Sequence, residues 1–248
     1  MSSEKPVLCL GGAHSAIARE IARRHAQSHR ITGFLRAPER LRGEEPADAL
    51  WEEAEATDPR AVAQAIQSLV DQTGRIDAYV HCVGSIFLKP LHLTRLEDWE
   101  ETLAVNLHSA FYALRAIIPI MQKQKSGRIV LISTVAARVG LASHEAIAAA
   151  KGGLLSLAQS AAATYASAGI RVNTVAPGLI ASPLSQPFIG SEQGRRISEK
   201  MHPLGQLGEP AQVASLITWL LSADAANVTG QCFGIDGGMS TVLPKVKA

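Results

Sequence analysis

Short apolar runs suited to strands alternate along this chain with segments of helical periodicity, and the architecture that buries such a pattern is a parallel sheet covered by helices on both faces. Val7 to Leu10 runs into two glycines, and Ser15 then opens a segment whose Ile17, Ala18, Ile21 and Ala22 recur at helical spacing. Arg30 to Leu35 reads as a second strand. The stretch from Glu39 to Asp58 is acidic and irregular, with a Glu52-Glu53 pair, and Thr57-Asp58-Pro59 places a capping side chain and a first-turn proline before a helix over Ala61 to Gln72. Strand Ala78 to Cys82, helix Leu96 to Gln122, strand Arg128 to Ile132, helix His144 to Ser167, strand Arg171 to Val175, helix Ala211 to Leu221 and strand Cys232 to Ile235 follow. Leu96 to Gln122 is long enough for two helices or a kink, and Pro119 favours a break near its end. The expected fold is a single α/β domain over residues 1–248, with a doubly wound parallel sheet.

At 47% hydrophobic and 19% charged residues, the 248-residue chain has ample material for one continuous core. A net charge of +2 creates no field that would select nucleic acid or an anionic membrane. Apolar stretches such as Leu216 to Leu221 are far shorter than a bilayer span, and the polar start Met1-Ser2-Ser3-Glu4-Lys5 leads into no signal-peptide core. The expectation is a cytoplasmic protein that binds neither nucleic acid nor membrane. Cys9, Cys82 and Cys232 are odd in number and widely spaced, which indicates buried reduced thiols and no disulfide or metal framework.

Several motifs then fall in a telling order. Gly11-Gly12-Ala13-His14-Ser15-Ala16-Ile17-Ala18 sits between the first strand and helix, His81-Cys82-Val83-Gly84 ends a later strand, and Val105-Asn106-Leu107 lies in the long helical segment. Ser133-Thr134 follows the strand ending at Ile132. Arg171-Val172-Asn173-Thr174-Val175-Ala176-Pro177-Gly178, Thr229-Gly230-Gln231 and Asp236-Gly237-Gly238 complete the series. Together these resemble the short-chain dehydrogenase/reductase family over almost the whole chain, in particular its compact branch that includes 3-oxoacyl-carrier-protein reductases. The resemblance implies a Rossmann-type fold and a nicotinamide dinucleotide as cofactor.

A glycine-rich turn opening a helix lets backbone amides face a pyrophosphate. Gly12, Ser15 and Ile17 are the candidate residues here, although Ala16 and Ala18 stand where the family pattern has its later glycines. Gly84 is expected to keep the chain close to the cofactor, while His81, at a strand end, reads as a satisfied structural group. Pro177, Gly178, Ile180 and Ser182 resemble the family segment beside the nicotinamide. The second strand ends Phe34-Leu35-Arg36 with no acid to hold a ribose diol, so Arg36 is a candidate for a 2′-phosphate; NADP(H) is favoured and NAD(H) remains possible.

In the resembling family a tyrosine delivers the proton, a lysine four residues later on the same helical face lowers its pKa, a serine bonds the carbonyl and an asparagine holds a water relay. Asn106 and Lys151 match two of these positions, and Thr134, with Ser133 beside it, matches the serine. Ile147 stands where the tyrosine is expected, and isoleucine has no exchangeable proton. His144 and Glu145, just before the helix, are candidate substitute acids, although a first-turn glutamate also suits the helix dipole.

The readings open at this point are an atypical NADP(H)-dependent oxidoreductase acting on a carbonyl, hydroxyl or related small molecule, a pseudoenzyme that binds cofactor or serves as a partner subunit to an active homologue, and a purely structural protein. The family resemblance implies a homodimer or homotetramer. Residues 181–208 contain no recognisable element but several prolines and glycines, and are expected to form a mobile cover over the substrate, with Ser182 to Met201 ordering on ligand binding. Arg195, Arg196 and Lys200 in that stretch form a charge cluster that could attract an anionic acyl carrier or simply be solvated.

Overall fold

A computed structural model describes residues 5–243 apart from 42 and 44. Strand β1 (Val7–Gly11) leads through a tight turn to α1 (Ala16–His25), then β2 (Arg30–Leu35), β3 (Leu50–Glu53), α2 (Pro59–Thr73) and β4 (Ala78–His81). One continuous helical rod follows, made of α3 (Leu96–Leu103), a π-helical turn (Ala104–His108) and α4 (Ser109–Gln124). After it come β5 (Gly127–Ile132), α5 (Glu145–Tyr165), β6 (Ile170–Pro177), α6 (Gln186–Ile189), α7 (Glu192–Lys200), α8 (Pro210–Leu221) and β7 (Cys232–Ile235).

The seven strands are all parallel, in the order β3-β2-β1-β4-β5-β6-β7. The winding reverses between β1 and β4, where Leu8 stands beside Ala78 and Gly11 beside His81. Such a reversal opens a crevice at the carboxyl ends of the two strands, the usual place for a ligand in an open α/β sheet. On one face Ile66, Ile117, Met121 and Leu154 close over Tyr79 and Ile129; on the other, Ile21, Val213 and Ile217 close over Leu8, Leu10 and Val80. The strands are therefore covered twice, which is why they read as unbroken apolar runs.

Several expectations need correction. The acidic stretch from Glu39 to Asp58 is not irregular throughout, because Leu50–Glu53 pairs with β2, Gly33 opposite Trp51. An edge strand keeps one side open to water, so it can carry the charges that hide it. The helix around Pro119 does not break: Pro119 and Arg115, the residue whose carbonyl loses its partner, are both on the exposed face, where water satisfies the freed group. Residues 181–208 also hold α6 and α7. The rod Leu96–Gln124 is long and apolar enough by length and composition to cross a membrane, contrary to the expectation that the apolar stretches fall far short of a bilayer span, but in this fold it buries Thr102, Asn106 and Ser109 and packs against α2 and α5. Of the cysteines, Cys9 is buried while Cys82 and Cys232 are half-buried, and all three are free.

Candidate active site

The crevice at the β1–β4 reversal widens into a cleft of about 750 Å³ that runs from Arg36 at one end to Leu141 and Phe188 at the other. That volume suits a bound small molecule or cofactor. At the first end, Gly12 has φ +73, and a Cβ there would lie 2.9 Å from the Val83 amide nitrogen, so only glycine fits the turn. Ser15 caps α1 by accepting from the Ala18 amide at 3.1 Å, and Ala16 and Ile17, whose first-turn amides have no partner within the helix, line the cleft. The first turn of α1 carries no acidic residue. This is a cradle for an anionic bridge between two nucleosides, and the residues present fit a dinucleotide.

Arg36 is exposed at this same end of the cleft, but it is not alone there. Glu55 approaches its guanidinium to 3.7 Å. The strand-end rule pointed to a site without an acid; the acid arrives from beyond β3, the strand that the sequence conceals. Glu55 lines the cleft and is one of the residues that sequence reasoning missed.

The middle of the cleft is organised around Gly84. A Cβ at that position would lie 3.2 Å from Asn106 Oδ1 and 3.4 Å from Lys151 Nζ, so the chain passes closely between the two. Asn106 sits in the π-helical turn, accepts from the Ser85 amide at 3.1 Å, and donates to Ser85 Oγ at 2.9 Å and to the Thr102 carbonyl at 3.0 Å. Local widening of a helix at a functional position is a recurrent device. The neighbouring Leu107 presses to within 3.1 Å of where a Cβ on Gly153 would be, so the bare backbone of α5 lets it approach the turn and bring Lys151 toward Asn106.

Lys151 is buried, and its ammonium donates to the Ile132 carbonyl at 2.9 Å. Burial pushes its pKa down to about 8, with Cys82 opposing the shift. Behind it, the Ser109 hydroxyl donates to the Val105 carbonyl at 2.6 Å, so it must accept from His81 Nε2 at 3.0 Å; Tyr79 then donates to His81 Nδ1 at 2.7 Å. Burial, reinforced by the charge of Lys151, holds His81 neutral with a pKa of about 3. His81 is thus a fully bonded structural group, and its chain of bonds ends on a carbonyl of the π-helical turn.

At the second end the two hydroxyl candidates separate. Ser133 Oγ donates to the Lys151 carbonyl at 3.1 Å and is committed to holding α5, whereas Thr134 Oγ1 accepts from the Ala136 amide at 3.3 Å and keeps its proton free. Ile147, four residues before Lys151, is buried in the cleft wall. His144 lines the cleft; Glu145 does not, and as the exposed first-turn residue of α5 it faces the helix dipole instead. Glu101 of α3 also lines the cleft, a carboxylate that its place among the acidic residues of that helix did not single out.

Pro177, Gly178, Ile180 and Ser182 line the cleft. The turn is clamped by His202, whose Nδ1 donates to the Ser198 carbonyl at 2.8 Å and whose Nε2 accepts from the Leu179 amide at 3.1 Å. Beyond it, the segment with α6 and α7 is closed at its base by a bridge between Ile180 and Gly208. On α7 Arg195 pairs with Glu199 and Arg196 with Glu192, while Lys200 ends the helix in its last turn.

The family model described as enoyl-(acyl carrier protein) reductase matches residues 12–240. Among curated proteins, the chain is 35% identical over 195 residues to the inactive 2-(S)-hydroxypropyl-CoM dehydrogenase 2 of Xanthobacter autotrophicus, covering 76% of this chain and 84% of that one. It is also 35% identical over 183 residues to the 3-oxoacyl-acyl-carrier-protein reductase FabG of Thermotoga maritima, covering 74% of each. Among solved structures, ElxO with NADP bound superposes with a TM-score of 0.87 at 26% identity, covering 96% of this chain and 99% of that one. With one family model spanning nearly every described element and curated relatives of this identity covered so fully, the chain belongs to the short-chain dehydrogenase/reductase family.

Proposed function

We propose that this protein is an NADP(H)-dependent oxidoreductase of atypical mechanism, acting on a small carbonyl or hydroxyl compound, with Ile147 in the place of the family's tyrosine. The observation that carries the reading is the shared packing of Asn106, Lys151 and Gly84 in a cleft whose other end is the Gly12 turn. When bound, the dinucleotide supplies or accepts the hydride. Lys151 would hold its nicotinamide ribose, the amides after Ser15 its pyrophosphate, and Arg36 a 2′-phosphate, which would compete with Glu55 for the guanidinium. Thr134 donates a hydrogen bond to the reacting oxygen. An assembly of two or four copies belongs to this reading, supported by the exposure of Phe111 on α4; sedimentation would show it.

The second reading, a cofactor-binding pseudoenzyme, is favoured by one feature of the site: isoleucine cannot exchange a proton. A relative that carries the word inactive in its name supports it as well. Fluorescence titration with NADPH and NADH, followed by a panel of ketones, aldehydes and secondary alcohols, separates the two. Tight NADPH binding with turnover supports the first reading, binding without turnover on any substrate supports the second, and no binding of either nucleotide rejects both.

A further inference from the structure

A cleft that holds a hydride carrier still needs a group to exchange the proton, and the cleft offers few. Ser133 is committed to the Lys151 carbonyl, and both nitrogens of His202 are engaged. Lys151 donates to Ile132 from a buried position, and Glu145 lies outside. His14 and Cys82 line the cleft at the Gly12 turn and Glu55 lines it beside Arg36, at the opposite end; at the Ile147 end His144 and Glu101 remain.

His144 is the better placed of the two. It is the residue before α5, three positions ahead of Ile147 and so on the same face of the helix. Its Nδ1 lies 2.8 Å from the Ala142 carbonyl, which can only accept, so Nδ1 carries a hydrogen and the neutral ring presents a bare lone pair at Nε2. The backbone that delivers it is held in place. Ser143 has φ +64, a left-handed conformation costly for a residue with a side chain, and its carbonyl accepts from the Lys89 amide at 2.9 Å. A base whose far nitrogen is fixed by a carbonyl, on a loop pinned from a second segment, has the arrangement expected of an oriented proton carrier. Glu101 has no such orienting partner among its described contacts.

Around this point the wall is made of Leu88, Leu141, Ile147, Phe188, Met201 and Met239. Among the described residues no arginine lines this end, and Arg195, Arg196 and Lys200 of α7 do not line the cleft, the two arginines being bound to glutamates of their own helix. An uncharged substrate with apolar substituents fits such a wall.

We propose that His144 Nε2 is the proton carrier of this cleft, serving as base toward an uncharged, apolar secondary alcohol and as acid toward the matching ketone. In the oxidative direction the hydroxyl O–H bond breaks as an N–H bond forms at Nε2, the carbon-bound hydrogen leaves with its electron pair to the nicotinamide dinucleotide, and the C–O bond becomes a carbonyl. The reverse direction returns both. Isoleucine at 147 then contributes shape and dryness, and Thr134 contributes the hydrogen bond to the oxygen. This rests on the reading of the cleft as a dinucleotide site.

The experiment uses the full chain, with NADP(H), 1-phenylethanol and acetophenone as the uncharged pair, and 3-hydroxybutyrate as an anionic alcohol. His144→Ala and His144→Gln are expected to lower kcat by ~10²–10³, within the range for a positioned acid or base, with NADPH affinity held within about twofold. Free imidazole should restore part of the rate to His144→Ala, and Glu145→Gln should match the wild type. Nitrogen NMR of the His144 ring should show the Nδ1-protonated tautomer, with the Nε2 resonance moving when acetophenone joins the NADPH-bound protein. The anionic alcohol should be at least ~10-fold poorer in kcat/KM, the size of a lost or unfavourable apolar contact. A His144→Gln protein that keeps the wild-type rate, or a rate lost in Glu101→Gln and kept in His144→Ala, overturns the assignment. A wild type that binds NADPH but neither turns over nor shows any ligand response at Nε2 also overturns it while leaving the dinucleotide reading intact. A wild type that fails to bind either nucleotide removes that underlying reading.

Discussion

The two ends of the cleft are built to different standards of constraint. At the Gly12 end, backbone does the shaping: a positive φ, a turn pressed against Val83 and a helix start free of acidic residues admit almost no substitution. At the Ile147 end, side chains do the shaping, and apolar side chains of similar volume exchange at modest cost. A site can therefore keep its grip on a cofactor while its reaction chemistry drifts, because the two depend on parts of the fold with unequal tolerance. His81 marks the boundary, since it is fully bonded yet sits between Lys151 and the turn that holds Asn106.

The comparison is tested most sharply by placing a tyrosine at position 147. In a His144→Ala background, Ile147→Tyr with Thr134→Ser is expected to raise carbonyl reduction by ~10²–10⁴, the usual worth of a positioned proton donor. Tyrosine is larger than isoleucine and its insertion costs about 1–3 kcal/mol, so thermal unfolding and NADPH affinity accompany the assay. A folded, NADPH-saturated variant with no gain would show that the reaction end has changed beyond this position.

At the other end, Gly12→Val should weaken both NADPH and NADH by ~100-fold or more, because its Cβ meets backbone and its φ is strained. Unaltered binding, measured by titration, would show that backbone constraint does not set the cofactor end apart. Lys151→Ala is expected to cost ~10-fold in affinity for both nucleotides, the scale of one hydrogen-bonded contact to ribose. Arg36→Ala should cost NADPH ~10-fold and leave NADH nearly unchanged; equal losses would remove the 2′-phosphate from the account.

The smallest expected effect near neutral pH is on stability. His81 is held neutral down to about pH 3 in the fold and titrates near ~6.5 when unfolded, so the unfolded chain binds the extra proton first. Stability from this group is full above about pH 6.5 and is lost as the pH falls toward about 3. His25, with a pKa lowered to about 4 by burial and by the neighbouring His29 and Arg24, adds to the same acid-side loss. Urea unfolding between pH 4 and 7 should show a slope that His81→Asn reduces.

Much of this was legible in the chain, and the exceptions have physical reasons. β2 matches its apolar run to the residue because both faces of the sheet are covered there, and β7, a half-buried edge strand, matches its run as well. β3 escaped notice because an edge strand can be Leu-Trp-Glu-Glu, and Glu55 escaped with it. α6 and α7 lie among prolines and glycines that usually punctuate loops, but here Pro187 falls within the first turn of its helix, where a missing amide costs nothing. Ser133 and Thr134 are equivalent on paper and are told apart only by which of them reaches the Lys151 carbonyl. Glu101 belongs to the cleft because the π-helical turn and α5 build a wall there, a relation between distant residues that no local pattern carries.

The bridge between Ile180 and Gly208 has a consequence for how such a protein can change over time. Both ends of the segment that carries α6 and α7 leave the sheet side by side, joined by the Ala181 and Gly208 amides bonding across at 2.8 and 3.1 Å. A piece of chain that departs and returns through one doorway can be lengthened, shortened or exchanged for another without the strands registering the difference. Any replacement must still deliver an imidazole beneath Gly178, so a library of grafted covers on this scaffold should yield folded proteins of altered selectivity wherever His202 is carried along, and loosened ones wherever it is left behind.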